Sequence, residues 1–465
     1  MLEGDEFYGE DTRSAAERYE RMLQFNEPAF FDPEQLEDLV DFFFNENKIK
    51  KAIQVIDFAR QQYPTYTVFL LKKAQISCVL GDFDEALEAI EKAESLEPYN
   101  YEVFLVKGEL YDQMENFEDA IAMYNTAIDL TDDKAEIYLN MAYAYQNWGK
   151  YEEALQLLLN ILELEPDNEQ VLYEIAYCYE VMDRLEDSTR FYEQYIDKQP
   201  YSYAAWYNLG TIHYKLENYE KAIWAYDFSI AINENFSSAY FNKGNSLVEL
   251  ERFKDAVDSY KQTIELEGPD AIIYCNIGGC YEKMDMMLEA RSFYKKAAKL
   301  NPKLAEAWFG IGITHEAEGR YLEALSFMKR AIGLEDDDSE YWFSLGGVYY
   351  HLEYFEDAEK AYEKSTQLDP YSSEVWIDWS FVLVKQDKLD DAIELLENSI
   401  KYFDDCHQIH YRLASYYFLA NKGTKGMEHL QTALTINAKD YELLFEHAPL
   451  LKNSAPIQTV INSFL

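Results

Sequence analysis

Moved along itself in steps of 34 residues, this chain keeps matching. The stretch AWYNLGTIHYKLENYEKAIWAYDFSIAI, Ala205 to Ile232, meets YWFSLGGVYYHLEYFEDAEKAYEKSTQL, Tyr341 to Leu368, after four such steps. Trp206 then falls over Trp342, Gly210 over Gly346 and Ala222 over Ala358. A fixed period of this length marks an array in which each repeat is one supersecondary unit, too small to bury its apolar face alone. Twelve repeats run from Pro33 to Asp440 without insertion or deletion. They begin at Pro33, Thr67, Tyr101, Ala135, Glu169, Tyr203, Ser237, Ala271, Ala305, Ser339, Ser373 and His407. Residues 1–32 and 441–465 are left as flanking segments, an N-terminal cap with an acidic tail and a C-terminal cap. The length of 465 residues does not count domains here, because an array grows in one dimension.

Within the repeat, position 4 is large and apolar or aromatic in eleven cases, Leu36, Phe104, Trp206, Tyr240, Trp308, Trp342 and Trp376 among them. Position 8 is glycine in six repeats (Gly108, Gly210, Gly244, Gly278, Gly312, Gly346) and alanine in four. Position 20 is alanine in ten, with Ser188 and Gly426 as exceptions. Apolar residues at positions 4, 7, 8 and 11, then at 20, 24 and 27, follow helical spacing and define two amphipathic helices. The small residues are expected to let the two helices approach backbone to backbone while large neighbours fill the gaps. Proline closes six repeats, at Pro64, Pro98, Pro166, Pro200, Pro302 and Pro370, where a helix cannot continue. Each repeat reads as a helix hairpin.

RSAAERYERMLQ, residues 13–24, reads as an amphipathic helix covering the first repeat, behind a loose acidic tail at 1–12. YELLFEHAPLLKN and PIQTVINSFL read as two short helices over the last repeat, with Ser454 and Pro456 as start signals. Fraying is expected in the first and last repeats, where Val40 takes a small-residue position and Gly423 and Gly426 enter the second helix.

The spacing of Trp, Leu-Gly, Tyr, Ala, Tyr, Ala and Pro resembles the tetratricopeptide repeat (TPR). That resemblance implies an all-α fold: a right-handed superhelix (α-solenoid) of stacked hairpins with capping helices, and a concave groove lined by the first helix of every repeat. In the family, positions 2, 5, 6, 9, 12 and 13 face the groove. Position 6 is asparagine at Asn140, Asn208, Asn242 and Asn276, with Glu174 interrupting the run. The column resembles the asparagine ladder in the tetratricopeptide superhelix of the O-linked N-acetylglucosamine transferases, although no counterpart of their catalytic domain is read here. Amides carry both donors and an acceptor, so such a column can hydrogen-bond the main chain of an extended peptide.

Position 5 adds Tyr173, Tyr207 and Phe241, and positions 9 and 12 add Tyr143, Tyr177 and Tyr214. These aromatics offer contact area at low entropy cost, and part of them is expected to pack on the neighbouring repeat instead. Carboxylates at Glu136, Glu174, Glu180, Glu306 and Glu340 favour a client with lysine or arginine among its apolar residues. The N-terminal end of the groove, with Glu34, Glu37, Asp38, Asp41, Glu102 and Glu109, reads as more acidic still. A clamp for a C-terminal carboxylate would need lysine at position 5, which no repeat has, and Lys72 and Arg412 read as isolated cations.

A formal charge of -46 repels phosphate backbones and anionic lipid, so nucleic acid and membrane surfaces are poor partners. No basic leader with an apolar run opens the sequence, and no stretch approaches the length of a bilayer span. Five scattered cysteines, none in Cys-x-x-Cys spacing, read as reduced thiols, and a cytoplasmic location is expected. Phosphate loops, dinucleotide fingerprints, nucleophile elbows and zinc-protease motifs are all missing. The segment CHQIH offers Cys406, His407 and His410, but His410 falls at position 4, a packing slot. His213 and His315 take the aromatic position 11 in the same way. No enzyme activity, metal or cofactor is expected.

The reading is a protein-interaction scaffold or adaptor that binds an extended peptide in a groove centred on the fourth to eighth repeats. One alternative is an assembly subunit that uses convex or end surfaces, where Phe42 and Phe44 read as exposed, with self-association left open. Another is a regulator that meets a basic, nucleic-acid-associated protein as a phosphate mimic.

Overall fold

In the computed structural model, which describes residues 10–25, 29–166, 168–403 and 405–465, the backbone enters the left-handed region at position 15 of every repeat, with Gly268 as one further positive-φ residue. Glycine serves there at Gly81, Gly149 and Gly319. Elsewhere the residue is Asn47, Glu115, Asp183, Glu217, Glu251, Asp285, Glu353, Asp387 or Asn421. The left-handed residue reverses the chain at the end of the first helix, and the next N–H bonds back to a helix carbonyl, as from Asn218 N to His213 O at 2.8 Å. Position 34 starts the following hairpin. Asp32, Asn100, Asn168, Ser202, Asp270 and Asp338 stand there as N-caps, each side chain accepting from a backbone N–H of the first turn. Such a cap is worth about 1 kcal/mol.

Twelve hairpins result among the described residues, from Pro33–Asn45 with Ile49–Gln62 to His407–Leu419 with Gly423–Asn437. They fall into two compact blocks: hairpins one to six end at Ile232, and hairpins seven to twelve begin after it. Within each block, every second helix packs on the first helix of the next hairpin, so each block is an α-solenoid of stacked hairpins. No helix among the described residues is long and apolar enough to cross a membrane.

Five of the six position-8 glycines answer to a ring and not to a backbone. A Cβ on Gly108 would stand 2.6 Å from Cε1 of Tyr124, and the same clash recurs at Gly210 with Tyr226, Gly244 with Tyr260, Gly278 with Tyr294 and Gly346 with Tyr362. At Gly312 the occupant is Met328. The expectation of backbone-to-backbone approach is corrected accordingly: the position-24 side chain lies flat across the glycine, and its burial contributes about 1.5–3 kcal/mol. Position 4 is pinned in a second way. The indole N–H of Trp206, Trp308, Trp342 and Trp376 donates to the carbonyl six residues earlier, at Pro200, Pro302, Asp336 and Pro370, over 2.8 to 3.0 Å.

At the N-terminal end the helix Glu10–Phe25 buries Ala15, Ala16 and Tyr19, with Tyr19 among Phe31, Phe43 and Phe58. Residues 10–12 of the expected loose tail are therefore helical, and 1–9 lie outside the described residues. At the other end, Leu443–His447 and Ala455–Phe464 lay Phe445, Ile457 and Ile461 on Tyr411 and Leu434 of the last hairpin. The second helix of that hairpin is continuous from Gly423 to Asn437, with Gly426 against the Phe418 ring.

Candidate functional site

Packing uses positions 3, 4, 7, 10 and 11 of a first helix, as Val171, Leu172, Ile175, Cys178 and Tyr179 show in hairpin five. Positions 5, 6, 9 and 12 share the opposite face by helical geometry. In the block ending at Ile232 this face carries Asn140, Tyr143, Tyr173, Tyr177, Tyr207 and Tyr214. Tyr177 is 46% exposed, edge-on to Tyr151 at 6.2 Å. The others are half-buried. Tyr143 accepts from Gln170 Nε2 at 2.7 Å, and burial followed by the Glu174 charge raises its pKa. Tyr173 meets Tyr207 edge to face at 6.0 Å, and Tyr207 leans on Tyr226 at 5.8 Å. Tyr214 packs on Tyr219 of its own hairpin.

Asn208 departs from the expected column. It is 3% exposed, and its amide nitrogen donates to the Tyr192 hydroxyl of the preceding hairpin over 3.3 Å. At 3% exposure this amide is out of a client's reach, and one of its two N–H groups is held by the fully buried Tyr192. Asn140 keeps partial exposure but reaches Glu109 Oε1 at 3.4 Å. Lys72, also at position 6, pairs with Asp41 Oδ1 at 2.6 Å. Asn140 and Lys72 thus tie to position 9 of the preceding first helix, whereas Asn208 ties to position 24 of the preceding second helix. Lys72 is therefore not the isolated cation expected, and Arg412 likewise pairs with Glu446 at 3.5 Å.

A concavity on this face lies in hairpins one to three, outside the repeats where the groove was expected to centre. It encloses about 300 Å³ and takes its lining from first helices alone, including Val40, Phe44, Ile76, Val79, Val106 and Glu109. Phe44, expected as an exposed end residue, is half-buried in its wall, and Phe42 rests half-buried on Phe43 at 5.4 Å. Burial raises the pKa of Glu109 and of Glu37, so both carboxylates gain from a nearby cation. Sequence reasoning had the carboxylates of this region but missed its apolar wall. Valines at position 8 of the first repeat, position 6 of the third and position 13 of the second were the available signal.

In the block beginning at Asn233, Phe241 is half-buried against the Tyr260 ring at 5.8 Å, and Asn242 and Asn276 are half-buried. Tyr260 donates to Asn245 Oδ1 at 2.7 Å. Three carboxylates, Glu282, Glu316 and Asp378, join this face, with Glu306 at position 2 beside it. Glu282 accepts from the Tyr294 hydroxyl at 2.8 Å, and burial raises the pKa of Glu282, Glu306 and Asp378. Glu316 is pushed up to about 7 by burial alone. Glu306 and Asp378 are exposed to solvent.

His213, His315 and His410 sit in packing positions. His213 and His315 are 6% and 4% exposed. His410 faces His429 with their Nδ1 atoms 3.0 Å apart, a pairing across the hairpin that CHQIH could not disclose. Among the described residues no group of three or more histidine, cysteine, aspartate or glutamate side chains could hold a metal ion. The five cysteines are free thiols, four of them buried.

Tetratricopeptide family models match the chain at 108–147, at 237–269 and 271–304, at 288–338 and 382–441, and at 339–372. A model of the N-terminal TPR repeats region of Psidin matches 139–226. No curated protein sequence matches. Solved structures with similarity include YrrB, described as a TPR protein with an unusual peptide-binding site, at 20% identity, 42% of this chain, 97% of that chain and a TM-score of 0.34. The Cut9-Hcn1 hetero-tetramer of the APC/C is similar at 14% identity, 86% of this chain, 98% of that chain and a TM-score of 0.44. The MamA protein is similar at 18% identity, 41% of this chain, 96% of that chain and a TM-score of 0.32. A chain built from one hairpin repeated every 34 residues, and matched by these models from residue 108 to residue 441, belongs to the tetratricopeptide repeat family.

Proposed function

We propose that this chain is an adaptor that holds an extended, apolar and basic polypeptide segment on the first-helix face of its hairpins. Tetratricopeptide arrays are protein-interaction scaffolds, and the proposal adds where the client lies and what it carries. The observation that carries it is the cavity of about 300 Å³ whose lining comes from three successive first helices and from no other element. Its apolar wall suits aliphatic side chains, and Glu109 in its lining suits a lysine or arginine. Further along the same block, Tyr143, Tyr173, Tyr177 and Tyr207 supply aromatic contact, with Asn140 as a polar fixing point. Phe241, Asn242 and Asn276 do so in the other block. Five unpaired thiols fit a reducing, cytoplasmic setting.

The experiment is a selection of binders from a random-sequence peptide library, followed by calorimetric titration of the full chain. Val79→Glu and Tyr177→Ala are expected to weaken the selected peptides about tenfold or more, and peptides enriched in acidic residues would contradict the reading.

A further inference from the structure

A second concavity lies on the other side of the hairpins, between the second helix of hairpin five, Leu185–Lys198, and both helices of hairpin six, Tyr203–Lys215 and Tyr219–Ile232. It encloses about 570 Å³, with Glu193 and Asp197 on one edge, Lys221 on another, and Trp206, Trp224 and His213 as walls. Trp224 is 54% exposed although it packs edge-on to Trp206 at 5.2 Å and to Phe228 at 4.7 Å. His213 is 6% exposed, and its Nδ1 is buried without a hydrogen bond. Burial and then the Lys221 charge lower its pKa, so the ring is neutral at pH 7 and can present an unprotonated nitrogen. His315 carries the same buried, unbonded Nδ1, so what sets hairpin six apart is its exposed indole beside an acidic edge.

The chain holds its own counterpart of this place. Three repeats later, Trp308 and His315 occupy the same repeat positions as Trp206 and His213, and there Arg330 covers the indole face that Phe228 covers on Trp206, stacked at 4.5 Å. The Arg330 guanidinium lies 3.5 Å from the centre of the Trp308 ring, and Phe327 stacks on both Trp308 and His315. Lys295 and Lys299 stand where Glu193 and Asp197 stand in the earlier repeat, and Phe228 stands where Arg330 does. In hairpin six, then, the edge charge is reversed to acid, the guanidinium is missing, and an indole is left in water.

We propose that this pocket binds an arginine side chain of a partner protein, the guanidinium lying on the Trp224 indole and donating to Glu193 and Asp197. A planar cation with five N–H donors meets both an aromatic face and several acceptors at once, which an ammonium group does not. The site is independent of the first-helix face, since Trp206, Leu209 and His213 are packing positions of their helix.

The test titrates the full chain with the capped tripeptide Leu-Arg-Leu and with its lysine and citrulline counterparts, following the tryptophan indole N–H resonances. The arginine peptide is expected to shift the Trp224 resonance saturably and to leave that of Trp308 in place. Binding should fall about tenfold or more with citrulline, with lysine, and in the Glu193→Gln/Asp197→Asn double variant, whose exposed conservative changes spare the fold. Equal binding of the three peptides would overturn the proposal, as would arginine binding that leaves the Trp224 resonance unmoved. The second result would place the peptide on the first-helix face and leave the adaptor reading intact.

Discussion

The side-chain amide of Asn208 donates to the hydroxyl of Tyr192 across 3.3 Å, and both residues are buried. Tyr192 in turn donates to the backbone carbonyl of Leu172. One hairpin is thereby tied to the next through the position-6 residue, with the position-24 tyrosine as the link. Asn208→Ala should therefore lower stability by about 1 kcal/mol and leave peptide affinity unchanged. Denaturant unfolding and calorimetric titration of the same variant separate the two effects.

Gly210→Ala should cost about 1–3 kcal/mol, even though alanine is the better helix former. The new methyl would stand 2.6 Å from Cε1 of Tyr226, a ring too rigid to fold aside. Hydrogen exchange of the amides in Tyr203–Lys215 and Tyr219–Ile232 would show the loss as local opening. The double change Gly210→Ala/Tyr226→Leu should recover part of it.

Glu251→Gly should raise stability by about 0.5–1 kcal/mol. Glu251 has φ 56°, a left-handed conformation that strains a side-chain-bearing residue, and glycine relieves the strain at some cost in chain entropy. Gly81, Gly149 and Gly319 fill the same repeat position without that strain. The melting temperature of the variant against that of the parent checks the sign.

Stability should depend on Glu316 in the pH range from about 4.5 to about 7. Burial raises this carboxyl above its unfolded value, so folding favours the protonated form. The contribution is present in full below the unfolded pKa and is lost as pH rises through about 7. Glu316→Gln should flatten that part of the profile and add about 1–2 kcal/mol at pH 8, a figure reduced because the group keeps some solvent. His410 and His429 work in the opposite direction. Burial lowers both, and stability from this pair falls as pH drops below their unfolded value. Unfolding free energies of Glu316→Gln and His429→Gln across the pH range would show the two signs.

The period and the two amphipathic helices were legible because every repeat imposes the same packing on itself. Position 4 and position 8 could be read as core and small-residue slots, but not that a tyrosine ring from position 24 fills the space at Gly108 or Gly346. That fact needs the crossing of two helices, which spacing does not contain. Lys72 and Arg412 looked isolated because their partners, Asp41 and Glu446, lie 31 and 34 residues away, one stacking step along the chain. Asn140 and Asn208 share a repeat position yet differ in burial, since Asn208 meets Tyr192 and Asn140 meets Glu109. Glutamate and aspartate in a left-handed turn at position 15 give no sequence sign of their conformation, whereas Gly81 does.

The claim on which the adaptor reading rests is that the first-helix face, and not the second-helix face, receives the client. A photoreactive benzoylphenylalanine placed at Tyr177, on a first helix, and separately at Leu164, on a second helix, would test it with a library-selected peptide. Both side chains are exposed, at 46% and 59%, so neither replacement disturbs the core. Cross-linking at position 177 and none at position 164 is the predicted result. Cross-linking at 164 alone would contradict the account.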